Sequence, residues 1–453
     1  MKSKRLFAGI LISSMLLSMG TGCSKKSADS PSVETIEQKA SGNAIYELVS
    51  AKSAKEKSSD EDLQKAYSEF ALGMIRRGAA GAGNDNFMVS TDSALFALEM
   101  TAAGADGETL DQMLGTLMPG VDKEDALLFA VDRMAQIKSD QLQIANSIWI
   151  NDKSKGAFYD GYLKYVEKNF DAKIGAIPFN DSGVDKINSW VSDKTDGMIQ
   201  NLIKVLEEED KMVLVNALSF EAKWKKPFEA EDVKEGTFYR GDGQRETCNF
   251  LCGDGGVGYL YNDKATGFYK VYEGEKYAFM VILPGAPKDD FLVIDSLLDE
   301  PSTSYEDDED EYLNVDINVF VAGMTAEDYR SFWGSRGNGD HVEFKFPEFT
   351  SEYETSLREI LLDMGMTNAF SDETANFGNM SNLTGLCIDD VIHMTRIEVN
   401  AEGTKAAAST AVVMEHNGVI QNRKVICDRP FAYAIVDMET GLPIFFGTVE
   451  HVN

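Results

Sequence analysis

The chain has 453 residues, and 43% of them are hydrophobic, which is enough for a large buried core. Acidic residues (75) outnumber basic ones (43), and the formal net charge of −32 excludes nucleic acid as a partner because a phosphate backbone would be repelled. The same charge disfavours binding to anionic membrane surfaces.

The N-terminus has the pattern of a targeting segment. Basic residues at positions 2, 4 and 5 precede an apolar run, Leu6 to Met19, that is short for a membrane span. Cys23 follows small residues and resembles the bacterial lipoprotein cleavage site, although Gly20 stands where that pattern usually has Leu. We expect a signal peptide over residues 1–23 and a lipid on Cys23 that anchors the protein at the extracellular bacterial surface, with plain secretion as the alternative.

Residues 24 to about 60 are rich in Ser, Lys, Ala and Asp, which predicts a flexible tether. Helical spacing of apolar residues begins near Leu63, in LQKAYSEFALGMIRR. Ser93 to Ala103 is almost entirely apolar and predicts a buried helix, and Gly107 opens another.

Strand signals then alternate with helices. LQIANSIWIN, DKMVLVNALSFEAKW and YAFMVILPG are short apolar runs bounded by polar turns. The end of the chain, PFAYAIVDMETGLPIFFGTVE, predicts a hairpin with its turn at residues 438–442. Together these elements predict an α+β fold in one large domain over residues 61–453.

No catalytic or metal site is indicated. The cysteines after Cys23 have no CxxC spacing; Cys248 and Cys252 could pair, but isolated thiols are the preferred interpretation. The four histidines are scattered, and the sequence has no HExxH, G-x-S-x-G or P-loop motif. We therefore expect no enzymatic activity and no cofactor.

The segment Val399 to Val413, VNAEGTKAAASTAVV, has the period-two pattern of a buried strand. Small or apolar residues share the parity of Thr404, whereas Lys405 and Glu415 fall on the other parity. Gly403 precedes this strand, and a polar run over residues 415–424 follows it. Such a strand could lie extended in solvent or insert into a sheet.

Five blocks in order resemble the serpin family over residues 63–449. They are NFMVSTDSALFALEMTAAGADGETLDQML, NSWVSDKTDGMIQNLI, VNALSFEAKWKKPF, VIHMTRIEVNAEGTKAAAST and the terminal hairpin. The resemblance implies three β-sheets, eight or nine helices and an exposed reactive centre loop at about 401–425. It also implies inhibition of a serine protease, which cleaves the loop, becomes acylated and is trapped when the loop inserts into the main sheet.

The resemblance also assigns site residues. The loop hinge is Gly403, Thr404, Ala406, Ala407 and Ala408. Their small side chains suit insertion, because overpacking a core costs about 1–3 kcal/mol per site.

A polar cluster beneath the main sheet matches Ser90, Ser93, Asn216 and His393, and Trp224 matches a position at the top of that sheet. The family's ion pair at the top is missing, because Ala401 and Glu348 occupy its two positions.

The family spacing places the cleaved bond at Asn417-Gly418. The stretch from Gly403 to Phe431 is about two residues longer than usual, so Val419-Ile420 is the alternative. No Arg or Lys occurs between residues 406 and 421, which favours an elastase-like target over a trypsin-like one.

We expect a monomeric suicide inhibitor that forms a covalent complex with a serine protease and contacts the membrane only through its lipid. The competing hypothesis is a surface lipoprotein with the same fold that binds or supports other molecules and does not inhibit proteases.

Overall fold

The computed structural model describes residues 58–285, 315–336, 341–404 and 422–452. Nine α-helices lie within these ranges: α1 (Asp60–Ala82), α2 (Thr91–Ala102), α3 (Gly107–Leu117), α4 (Lys123–Ile137), α5 (Asp160–Phe170), α6 (Asp181–Lys194), α7 (Ile317–Gly323), α8 (Ala326–Gly334) and α9 (Arg358–Asp363).

Seventeen strands lie in the same ranges: β1 (Phe87–Val89), β2 (Leu142–Asn151), β3 (Lys173–Ile177), β4 (Met212–Phe220), β5 (Ala222–Lys223), β6 (Val233–Tyr239), β7 (Arg245–Asp254), β8 (Gly258–Tyr261), β9 (Ala265–Val271), β10 (Tyr277–Pro284), β11 (His341–Pro347), β12 (Phe349–Ser356), β13 (Ile392–Asn400), β14 (Gly403–Thr404), β15 (Asn422–Ile426), β16 (Phe431–Asp437) and β17 (Pro443–Val449). The mixed content confirms the predicted α+β architecture.

Helix α2 is the buried helix that its sequence predicts. All twelve of its residues are buried, and Ser90 caps its N-terminus by accepting a hydrogen bond from the Ser93 N–H. Beside it, the Arg133 guanidinium on α4 binds Asp92 on α2 and Asp437 on β16, and all three side chains are buried. This charged cluster joins two helices to a strand of the six-stranded sheet.

The terminal hairpin forms the centre of the six-stranded sheet, whose order is β1-β17-β16-β10-β9-β8. Strands β16 and β17 pair antiparallel from Phe431↔Val449 to Val436↔Pro443, and every residue of both is buried. The predicted hairpin is confirmed, and its continuous apolar strands are explained by burial on both faces.

Two further sheets share one chain segment. The three-stranded sheet has the order β3-β2-β4, and the hinge sheet has the order β12-β13-β14-β5. Strand β5 follows β4 after the single residue Glu221, so the two sheets meet where β5 pairs with β14. Below that point, within the described residues, no hydrogen-bonded ladder joins β4 to β13. We call the space between them the β4–β13 cleft.

The return sheet has the order β15-β11-β7-β6, and the chain enters it at Asn422. Cys248 and Cys252 lie on β7 as free thiols. Four residues along one strand separate their Cα atoms by about 13 Å, well beyond the reach of a disulfide. The isolated-thiol interpretation is therefore correct for this pair.

Candidate functional site

The hinge residues Gly403 and Thr404 occupy a central position in the hinge sheet. Gly403 pairs with Asn400 and Lys223, and Thr404 pairs with Val399 and Ala222, antiparallel on both sides. A Cβ on Gly403 would lie 2.1 Å from the Ala222 carbonyl oxygen, so only glycine fits between these two backbones.

The Thr404 side chain is fully buried, as its predicted parity requires. Its hydroxyl shares a 2.7 Å hydrogen bond with the hydroxyl of Tyr272, a buried residue that sequence reasoning missed. The other predicted hinge residues, Ala406, Ala407 and Ala408, lie outside the described residues, as do Asn417, Gly418, Val419, Ile420 and the lipidation residue Cys23.

The predicted strand over 399–413 does not begin as one continuous strand. Strand β13 ends at Asn400, and the chain reverses at Ala401 and Glu402 before Gly403 pairs back onto Asn400. The Asn400 Oδ1 atom accepts hydrogen bonds from the N–H groups of Glu402 (3.0 Å) and Gly403 (3.2 Å). An Asn followed three residues later by Gly is a turn signal that would have revealed this reversal.

Trp224 forms two hydrogen bonds with the backbone of this turn. Its indole Nε1 donates to the Asn400 carbonyl oxygen at 2.9 Å, and its backbone N–H donates to the Glu402 carbonyl oxygen at 3.0 Å. Its ring stacks on that of Tyr272, with centroids 4.5 Å apart. The predicted top-of-sheet residue therefore contacts both the turn and the side chain that binds Thr404.

Lys270 adds a buried ammonium group at the same place. It lies 5.6 Å from the Trp224 ring centroid and 4.5 Å from that of Phe228, and only 5% of the residue is exposed. Burial lowers the pKa of Lys270 to about 8, assisted by repulsion from Lys226.

The predicted polar cluster comes together beneath the cleft. The Ser93 hydroxyl donates to the Asn216 Oδ1 atom, and the Ser90 N–H donates to His393 Nε2 at 2.9 Å. Asn146, which sequence reasoning missed, extends the cluster: it accepts from Asn216 Nδ2 at 2.5 Å and donates to the Phe170 carbonyl oxygen at 2.7 Å.

His393 is neutral in this environment. Desolvation lowers its pKa to about 4, and Nε2 acts as an acceptor, which places the proton on Nδ1. In this cluster, the Ser90 N–H and the Ser93 hydroxyl at the start of α2 are donors, and Asn216 on β4 and His393 on β13 accept from them.

A small cavity of about 20 Å³ separates β4 from β13 above this cluster, with room for one water molecule. Leu214, Val215 and Asn216 line one side, and Val391, Ile392 and His393 line the other.

Leu202 and Ile203 also line the cavity and belong to the connection between α6 and β4. We call residues 195–211 the cover segment. The Asn188 amide binds both the N–H (2.9 Å) and the carbonyl oxygen (2.7 Å) of Ile203, and Lys204 pairs with Glu354 on β12 at 2.6 Å. The cover segment is thus fixed to α6 on one side and to the hinge sheet on the other.

Among the residues that the structure describes, no group of His, Cys, Asp and Glu side chains could hold a metal ion. Within the same ranges, no helix is both long and apolar enough to cross a membrane.

The profile of the family described as Serpin (serine protease inhibitor) matches residues 65–452. Human plasminogen activator inhibitor 2 is 29% identical over 434 residues, which cover 85% of this chain and 99% of that protein. A serpin-like protein of Thermococcus kodakarensis is 28% identical over 376 residues, 80% of each chain.

The solved structure of tengpin, a thermophilic serpin, in its native state is 30% identical with a TM-score of 0.74, and the match covers 89% of this chain and 99% of that one. The chain therefore belongs to the serpin family, whose members are typically protease inhibitors.

Proposed function

We propose that this protein is a suicide inhibitor of serine proteases that traps its target by inserting the cleaved loop into the β4–β13 cleft. The observation that carries the proposal is the position of β14. Its two residues already occupy the first places of a strand between β5 and β13, while the cleft below them has no ladder within the described residues.

The register of β14 supports a continuation of this strand. Thr404 lies opposite Val399 and Ala222, so a ladder extended by six residues brings Thr410 opposite His393 and Asn216. These two residues line opposite sides of one cavity, which agrees with the extrapolated register. Thr410 would then present its hydroxyl to the polar cluster, and Ala406 and Ala408 would fill the core-facing positions between.

For the target, we infer an elastase-like serine protease. The loop between residues 406 and 421 has no Arg or Lys, and Val419 would suit a small apolar specificity pocket. The cleaved bond is Asn417-Gly418 in the family spacing and Val419-Ile420 if the additional residues precede it.

To test this proposal, the domain over residues 58–453 is mixed with neutrophil elastase, and the products are separated on a denaturing gel. The proposal predicts a band at the summed mass and a released C-terminal fragment that mass spectrometry assigns to one of the two bonds. Cleavage without this band, repeated with subtilisin-like and chymotrypsin-like proteases, would instead support the non-inhibitory binding protein.

We further propose that the inhibitor acts as a monomer held at a bacterial surface by a lipid on Cys23. Expression of the full chain with a radiolabelled fatty acid in a bacterium that processes lipoproteins should label the protein. The Cys23→Ser variant should remain unlabelled and appear in the medium; equal labelling of both proteins would overturn the anchor.

A further inference from the structure

Glu348 is the single residue between β11 of the return sheet and β12 of the hinge sheet. Its backbone continues the return sheet, because its N–H donates to the Asn249 carbonyl oxygen at 2.9 Å. The following residue, Phe349, pairs with Val399 near the end of β13. Glu348 therefore lies at the corner where the two sheets meet, one position from the turn that leads into the loop.

The Glu348 side chain connects three parts of the chain. Its Oε1 atom accepts the Ala401 N–H at 3.0 Å, and its Oε2 atom accepts from the Asn249 side-chain amide at 3.1 Å. A carboxylate has two acceptor oxygens and no donor, so both contacts match its chemistry. The Ala401 carbonyl oxygen is occupied as well, by the Phe228 N–H at 2.9 Å. Both backbone polar groups of Ala401 therefore have hydrogen-bond partners.

Strand β11, which directly precedes Glu348, contacts the other end of the loop. Strand β15, which takes up the last residues of the predicted loop, pairs with β11 from His341↔Asn422 to Lys345↔Ile426. The outgoing end of the loop is bound by the side chain of Glu348, directly after β11, and the returning end by the β11 backbone. Residues 341–348 therefore contact both ends of the loop.

We propose that Glu348 is a positioning residue that fixes the turn at Ala401 and Glu402, so that Gly403 and Thr404 stay in register at the top of the cleft and start strand insertion. The hinge contact itself is independent of any protease, whereas its effect on trapping rests on the proposed function. Glu348 acts after cleavage, on the first step of insertion, and leaves acylation of the protease unchanged.

Four variants distinguish the effects of the length of the Glu348 side chain, of its charge and of a general loss of stability. Glu348→Ala removes both hydrogen bonds. Glu348→Asp keeps the charge but withdraws the oxygens by one methylene. Glu348→Gln keeps the reach and one acceptor oxygen, and the Asn249 amide can turn to match it. Asn249→Ala removes only the contact that does not involve the hinge.

The first measurement is hydrogen exchange of the peptide covering residues 400–404, without protease. The proposal predicts about tenfold faster exchange in the Ala and Asp variants, because in each the Ala401 N–H loses its hydrogen bond to the partly buried Glu348 side chain. The Gln and Asn249→Ala variants should exchange like the wild type. Unchanged exchange in both the Ala and Asp variants would overturn the proposal.

The second measurement is the number of inhibitor molecules consumed per protease molecule, together with the rate of acylation. The Ala and Asp variants should consume several times more inhibitor at an unchanged acylation rate. A parallel change in acylation, or a normal consumption despite fast exchange, would overturn the link to insertion. If the wild type traps no protease, the proposed function falls and hydrogen exchange alone decides the role of Glu348.

Discussion

At the scale of single residues, the space around Gly403 and Thr404 is filled by neighbouring groups. Thr404 is fully buried, its hydroxyl is bound to Tyr272, and Gly403 is in contact with the backbone of Ala222 and Lys223. A large or charged side chain at position 404 would have to enter this space without a partner for its charge. Burial of an unpaired charge costs several kcal/mol, so the first step of insertion would be blocked.

The Thr404→Arg variant should therefore be cleaved by the protease without trapping it. The expected result is loss of the summed-mass band on a denaturing gel, with the cleavage rate retained. Thr404→Ser, which keeps the hydroxyl and reduces the volume, serves as the control and should trap normally. Trapping by the Arg variant at the wild-type level would contradict the insertion of residue 404.

His393 predicts a pH dependence of native stability. The unfolded imidazole has a pKa near 6.5 and the folded one a pKa of about 4, so the folded state binds fewer protons between these values. The contribution is present above about pH 6.5 and is lost as the pH falls toward 4. The difference corresponds to about 3 kcal/mol for this buried group.

The measurement is the urea midpoint of the native protein between pH 7.5 and 4.5, compared with that of His393→Gln. Asp210 and Glu450 change the stability in the opposite direction. Burial raises the pKa of each carboxyl to about 7, so each favours the folded state more as the pH falls. The wild type should lose more stability than the variant as the pH falls. Parallel curves would contradict the assigned state of His393.

The residues of the hinge and the polar cluster are predictable from the sequence, but several of their partners are not. The serines, Asn216 and His393 could be assigned because they lie inside recognisable motifs. Asn146, Tyr272 and the contact of Glu348 with a backbone N–H depend on which strands become neighbours. No local pattern encodes such a contact, because the residues are separated by 53 to 132 positions along the chain.

At the scale of elements, the cover segment lies against the β4–β13 cleft, where it lines the cavity. Leu202 and Ile203 lie over the cavity that the inserting strand would occupy, and Asn188 binds both backbone groups of Ile203. The Lys204–Glu354 pair is partly exposed and contributes at most about 1 kcal/mol. The two hydrogen bonds of Asn188 are therefore the stronger attachment.

Asn188→Ala should release the cover segment more than Lys204→Ala does. Two hydrogen bonds at about 1 kcal/mol each correspond to a severalfold to thirtyfold increase in local opening. Hydrogen exchange of a peptide covering residues 201–205 measures this opening in both variants. An equal or larger effect of Lys204→Ala would contradict the ranking.

Elements with strong periodicity were predictable, and short ones were not. The buried helix α2 and the terminal hairpin follow directly from uninterrupted apolar runs. Strand β14 has only two residues, and the reversal before it depends on hydrogen bonds from a single Asn side chain. The alternation of small and polar residues in the sequence continues through this turn, so the alternation alone does not indicate where the strand ends.

At the scale of the whole molecule, the proposed mechanism requires a native state that is less stable than the form with the loop inserted. The three-stranded sheet and the hinge sheet meet only where β5 pairs with β14, and the β4–β13 cleft lies below that point. An inserted loop would pair antiparallel with both β4 and β13, join the two ladders into one sheet and satisfy backbone groups along both strands. Under the proposed mechanism, the lifetime of the native form depends on the height of the barrier to insertion.

The most direct measurement is thermal unfolding, followed by circular dichroism, of the intact domain and of the same domain after a protease has cut the loop. If the loop inserts, the cleaved protein should unfold at a markedly higher temperature, because the loop has become a central strand. The Thr404→Arg substitution should reduce this increase. An unchanged or lower unfolding temperature after cleavage would contradict insertion and, with it, the proposed mechanism of inhibition.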